Sequence, residues 1–191
     1  ANGRLEEVKR LLRVGADIDA SNEAKQSALI KAAEHGHTRV AIQLLKLGAD
    51  LLHADRRNST ALHYAAYNGH VETTAALIAQ GADVNRPNKF GYSPLQYAAA
   101  DGQDETVQKL VELGADVNRQ DNMNWTALHR AAAGGFTRTV RNLVRSGASV
   151  HGAPDSPTEY TPLHEAVWCG QTSVARVLVE HGADPLREDD W

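Results

Sequence analysis

The groups through which this 191-residue chain could do chemistry are nine histidines, one cysteine and 24 carboxylates. Three histidines form a set, because His63, His129 and His164 each close a tetrapeptide beginning with Thr60, Thr126 or Thr161. Three imidazoles make a zinc site only if the fold gathers them within about 2 Å of one ion. His164-Glu165 also opens the helical zinc-protease pattern, but its fifth position is Trp168 and the second ligand is missing. Cys169 is the single thiol, and no cation or base stands at a supporting spacing to lower its pKa. No Gly-x-Ser-x-Gly elbow, phosphate-cradling loop, dinucleotide fingerprint or calcium loop occurs. Asn58-Ser-Thr and Asn124-Trp-Thr match the glycosylation acceptor, although turn chemistry accounts for both asparagines.

Composition narrows the classes further. One cysteine cannot close an internal disulfide, so a reducing compartment, cytoplasmic or nuclear, is expected. No run of 18 apolar residues is present, so no membrane span and no membrane partner are expected. With 20 Lys+Arg against 24 Asp+Glu the net charge is −4, which gives no general drive toward nucleic acid or anionic lipid. A hydrophobic share of 42% sustains a core. Thirty alanines against ten aromatics point to short helices packed closely together.

The elements that position these groups repeat. Gly-Ala-Asp begins at Gly15, Gly48, Gly81 and Gly114, recurs as Gly-Ala-Ser at Gly147 and returns at Gly182, with steps of 33, 33, 33, 33 and 35. Ser27, Thr60, Ser93, Thr126 and Thr161 keep the same beat. Each is a helix N-cap, and Pro94 and Pro162 stand where proline loses no hydrogen bond. The first helix carries paired small residues such as Ala65-Ala66 and ends at Gly36, Gly69, Gly102, Gly135 or Gly170. The second has apolar residues at helical spacing, as in Val107, Leu110 and Val111. A polar stretch with Asn58, Gly91 or Asn124 at its tip predicts a hairpin between units. Helices pack about 8–10 Å apart, so equivalent histidines two units apart lie about 20 Å from each other, beyond a metal's reach. They are expected to be hydrogen-bond partners within the Thr-x-x-His start.

The Thr-Pro-Leu-His-like start, the central Gly36-His37 and Gly69-His70, and the Gly-Ala-Asp-Val-Asn end at Gly81–Asn85 and Gly114–Asn118 resemble the ankyrin repeat family over nearly the whole chain. Ile30 and Gln96 in place of histidine, Ser149 in place of aspartate and Pro185 in the last loop are departures. The resemblance implies an all-α solenoid of helix-turn-helix repeats joined by β-hairpin loops, with first helices and hairpins lining a concave face. It divides the single domain 1–191 into a partial repeat 1–21, repeats 22–54, 55–87, 88–120, 121–153 and 154–188, and the start of another hairpin at 189–191. The partial first unit and the apolar last one, with Val174, Val177, Leu178 and Val179, lead to the expectation that further repeats or a flanking domain adjoin this segment. The resemblance also marks Asn85 and Asn118 as asparagines of the kind modified by the hydroxylase acting on animal ankyrin repeats, with a structural loop role as the alternative.

What the repeat does not dictate is where the aromatics fall. Registered on the caps, Tyr64, Tyr67, Phe90, Tyr92, Tyr97, Trp125, Tyr160 and Trp168 occupy hairpin or first-helix positions that the family places on its concave face. Arg56, Arg57, Lys89 and Arg130 fall beside them, with Met123 as an adaptable apolar contact. Glu34, Asp101, Glu159 and Glu165 border the column. These thirteen aromatics, cations and methionine are the candidate partner-binding residues. The alternative for Tyr92, Trp125 and Tyr160 is that each ring lies across the neighbouring hairpin and stiffens the stack. The two-residue insertion before Tyr160 adds a Ser156-Pro157 phosphorylation candidate. The expected function is a non-catalytic scaffold for a protein or peptide partner, with no cofactor and no metal. An intramolecular spacer or docking module is the alternative, and single-stranded nucleic acid is disfavoured by the charge.

Overall fold

A computed structural model describes residues 10, 14–152 and 160–185, and ten helices lie among them. The expected helix around 5–13 falls almost wholly outside the described residues, as do Ser156 and Glu159 of the insertion and the last stretch 186–191. The first helices of the five pairs are α1 (Ala28–Glu34), α3 (Ala61–Tyr67), α5 (Pro94–Ala100), α7 (Ala127–Ala133) and α9 (Pro162–Trp168). Their partners are α2 (Thr38–Lys46), α4 (Val71–Ala79), α6 (Asp104–Glu112), α8 (Thr137–Arg145) and α10 (Thr172–Glu180).

Each first helix starts where a cap residue in extended backbone ends the hairpin, at Ser27, Thr60, Ser93, Thr126 and Thr161. At seven residues these helices are too short to persist alone, so packing must hold them. Their leucines, Leu29, Leu62, Leu95, Leu128 and Leu163, line up as one buried column, and the alanine pairs behind them are also buried. Fully burying one leucine is worth about 1.5–3 kcal/mol. The second helices add Leu44, Leu77, Leu110, Leu143 and Leu178 to the same core. Successive first helices contact each other more extensively than successive second helices, because alanine lets their backbones approach.

Gly36 shows why a glycine closes the first helix. Its φ is 66°, and a Cβ there would lie 2.6 Å from Nδ1 of His70, whose ring packs onto it from the next pair. His70 Nε2 donates to the Glu34 carbonyl at 3.0 Å in the same joint. The hairpins are narrow, with single bridges at Ser21–Ser27 and Ala54–Thr60. Asn58, Gly91 and Asn124 hold positive φ at the tips as expected, and Lys25 joins them at 61°. The sequence reading passed over Lys25; the Asn22 carboxamide, accepting from the Gln26 amide at 2.9 Å, holds that turn closed.

Candidate functional site

His63 and His129 of the Thr-x-x-His starts are struts, and His164 Nδ1 accepts from the Thr161 amide at 3.1 Å. His63 Nδ1 accepts from the Thr60 amide at 3.1 Å, and its Nε2 donates to the Tyr92 carbonyl of the next unit at 3.1 Å. His129 repeats this with the Thr126 amide at 3.1 Å and the Tyr160 carbonyl at 3.3 Å. One neutral ring thus satisfies a cap and ties two units together. Burial lowers both from the ordinary 6.5 to about 4, against the opposing pull of those carbonyls. Gln96 performs the same task, its Oε1 accepting from the Ser93 amide at 2.8 Å and its Nε2 donating to the Trp125 carbonyl at 2.7 Å. Ile30 has no polar atom with which to do so. No group of three or more His, Cys, Asp or Glu among the described residues could hold a metal ion.

A second strut runs between the fourth residue of α3, α5 and α7 and an acid or amide nine residues earlier. Asp55, Asn88 and Asp121 open their hairpins, and Oδ1 of each accepts two loop amides. Their remaining side-chain atoms meet the helix: Tyr64 Oη donates to Asp55 at 2.7 Å, Asn88 Nδ2 donates to Tyr97 Oη at 3.0 Å, and Arg130 pairs with Asp121. Burial and Asp55 push the Tyr64 phenol up to about 12. The Arg130 guanidinium lies between two rings, 4.3 Å from the centroid of Tyr92 and 4.4 Å from that of Trp125. Trp125 and Tyr160 stack at 12° with centroids 6.4 Å apart.

These contacts sort the thirteen candidates. Tyr64 and Tyr97 spend their hydroxyls inside the stack, and Arg130 gives Nη2 to Asp121 while its buried Nε has no hydrogen-bond partner among the described residues. Tyr92, Trp125 and Tyr160 are half-buried and touch side chains of neighbouring units. Phe90, Met123, Tyr67 and Trp168 are the aromatics and methionine left open, at 45%, 61%, 42% and 85% exposure. Arg56, Arg57 and Lys89 are exposed at the hairpin tips. Tyr67, Tyr92, Tyr97, Arg57, Arg130 and Ala100 surround a groove of about 370 Å³. The sequence reading passed over Asp55, Asn88, Asp121 and Gln96; a recurring acid or amide at the start of each hairpin is the signal that marks the first three.

Contacts show where the other residues singled out in the sequence sit. Glu165, expected at the border of the column, is buried and accepts from Tyr160 Oη at 2.8 Å. It also accepts from Cys169 at 3.4 Å, and desolvation together with this carboxylate raises the thiol's pKa, away from a reactive thiolate. Asn85 donates to the Gly114 carbonyl at 3.3 Å and accepts from the Asp116 amide at 2.8 Å. Asn118 does the same with Gly147 at 3.1 Å and Ser149 at 2.9 Å, so both link adjacent loops. No helix among the described residues is long and apolar enough to cross a membrane.

A search of curated proteins found no match. The family model for ankyrin repeats (3 copies) matches residues 1–88, 43–121 and 95–189, and the phased caps, glycines and helix pairs of the structure fall within those spans. The chain belongs to the ankyrin repeat family.

Proposed function

We propose that this chain is a non-catalytic scaffold that binds a protein or peptide through the face formed by its first helices and hairpins. Ankyrin repeats generally mediate protein–protein interaction, and the family is typically non-enzymatic. The observation that carries the proposal is the set of large side chains the stack does not use. Tyr67, Phe90, Met123 and Trp168 are exposed on units whose folding needs are met by leucine, alanine and the struts. Aromatic rings beside arginine are the usual composition of interface hot spots. The test is affinity capture from lysate with wild type, with Tyr67→Ser, Met123→Ser and Trp168→Ser combined, and with Leu47→Ser and Leu113→Ser as a control at exposed second-helix ends. A partner lost from the first variant and kept by the control supports the proposal; equal capture by all three contradicts it.

A second reading is favoured by the outer face of the last pair. Gly36, Gly69, Gly102 and Gly135 are each covered by a side chain of the next pair, whereas Gly170 meets nothing among the described residues. Beside it an apolar hollow of about 710 Å³ is lined by Leu163, Val167, Trp168 and Val179. This shape suits a module docked against another helical unit.

A further inference from the structure

We propose that the groove between the second, third and fourth helix pairs takes an extended acidic peptide. One bulky aliphatic side chain sits in the notch framed by Tyr67, Tyr92 and Tyr97, and carboxylates run along Arg56, Arg57 and Lys89. The inference rests on the protein-binding reading of this face and names the chemistry of the partner.

The notch follows from side-chain size at one register position. The last residue of the first helix is Tyr67 in α3 but Ala100 in α5, so Tyr67 stands as a wall beside the small Ala100 side chain, while Glu34 holds the same position in α1. Tyr97 lies edge-on to Tyr67 and to Tyr92, with both centroid distances at 5.9 Å. Arg130, clamped against Tyr92, closes the far side. A space of about 370 Å³ with ring walls suits one large apolar side chain. The Tyr67 and Tyr92 hydroxyls have no hydrogen-bond partner among the described residues, which leaves them for the carbonyls of a peptide backbone.

Charge then selects the peptide. Arg130 is consumed by Asp121, whereas Arg56, Arg57 and Lys89 form no ion pair among the described residues. Arg57 and Lys89 share one edge, because the Lys89 amide donates to the Arg57 carbonyl at 2.8 Å. The acids of those hairpins, Asp55 and Asp121, are buried and bonded inward. One exposed acid, Glu23, flanks this edge on the α1 side, where the Arg56 amide donates to the Ala24 carbonyl at 3.2 Å, and Asp101, next to Ala100 at the C-terminal end of α5, accepts from Gln103 Nε2 at 2.7 Å; three cations against Glu23 remain along the hairpins. This edge is therefore positive on a chain whose net charge is −4. Such a local reversal attracts acidic segments and repels basic ones.

The test uses three fluorescein-labelled synthetic peptides: a central leucine flanked by aspartates, the same peptide with central alanine, and a central leucine flanked by lysines. Fluorescence anisotropy at about 50 mM and about 500 mM salt reads their binding. The acidic leucine peptide is expected to bind, about tenfold tighter than the alanine version, with affinity falling as salt rises, and the lysine peptide is expected not to bind. Tyr67→Ala should erase the preference for leucine, and Arg57→Glu with Lys89→Glu should abolish binding. All three positions are exposed, and circular dichroism checks that the helices remain. Equal binding of the lysine peptide, indifference to the central residue, or no binding by any peptide overturns the proposal. A protein partner lost on Tyr67→Ser with Trp168→Ser but untouched by the charge reversal would leave the protein-binding face standing and remove the acidic peptide. Capture unaffected by either would remove the face itself.

Discussion

His63 and His129 are closed in between neighbouring units at 0% and 1% exposure, and each must stay neutral to accept at Nδ1 from its cap. Burial holds both at about 4 instead of 6.5, whereas in the unfolded chain they titrate near the ordinary value. Between those values the unfolded chain binds protons that the folded chain does not, so stability rises with pH across this window. The contribution is fully present above about pH 6.5 and is lost as pH falls toward about 4. Going down to about pH 5 removes about 2 kcal/mol per histidine. The two sites share no partner, so the losses add to about 4 kcal/mol. That is a large part of the about 5–15 kcal/mol that stabilises an ordinary domain. The chain supplies its own control, because Gln96 makes both bonds with a side chain that does not titrate. His63→Gln with His129→Gln should fold at neutral pH and lose much less stability on acidification. Urea unfolding followed by circular dichroism, at about pH 8 and about pH 5, measures the difference. If the double variant loses as much stability as wild type over that interval, the buried-strut account of these histidines is refuted.

Arg130→Ala leaves the Asp121 carboxylate, whose side chain has 0% exposure, without its cation; a loss of about 3 kcal/mol in urea unfolding is expected, and Arg130→Lys should recover only part because an ammonium cannot stack between Tyr92 and Trp125. Tyr64→Phe removes the bonds to Asp55 and Gln26, with an expected cost of about 1–2 kcal/mol. In a spectrophotometric titration the same variant should lose the phenol that ionises at about 12. Trp168→Ala, at 85% exposure, should change stability by less than about 0.5 kcal/mol while weakening partner capture.

The caps, the phased glycines and the helix pairs were legible because their chemistry is local: a serine or threonine before a helix start and a glycine at positive φ need only near neighbours. The struts were legible in part. A Thr-x-x-His start points to a capping bond, but the second bond, from His63 to the Tyr92 carbonyl 29 residues on, appears only when units stack. Gln96 looked like a departure from the pattern, and geometry shows an amide reproducing both bonds of the imidazole. Arg130 was placed beside the column, and its burial was legible only in part: Asp121 stands nine residues earlier, the spacing of the other struts, but Tyr92 comes from the preceding unit and meets Arg130 only when units stack. Glu165 does border the column, but its burial was not legible: its carboxylate accepts from the Tyr160 hydroxyl, which precedes its helix. The exposed places of Tyr67 and Trp168 follow from register, because positions facing away from the leucine column are fixed by helical period, whereas Met123 is exposed at a hairpin tip.

The central claim is that a partner seats on the first-helix and hairpin side. Site-specific photo-crosslinking tests it most directly, with a benzoyl-phenylalanine placed at Tyr67 in one variant and at Leu113, an exposed second-helix end, in another. Adducts with a partner protein from position 67 and none from position 113 are predicted. Adducts from 113 alone, or from neither position, would contradict the assignment of the binding face.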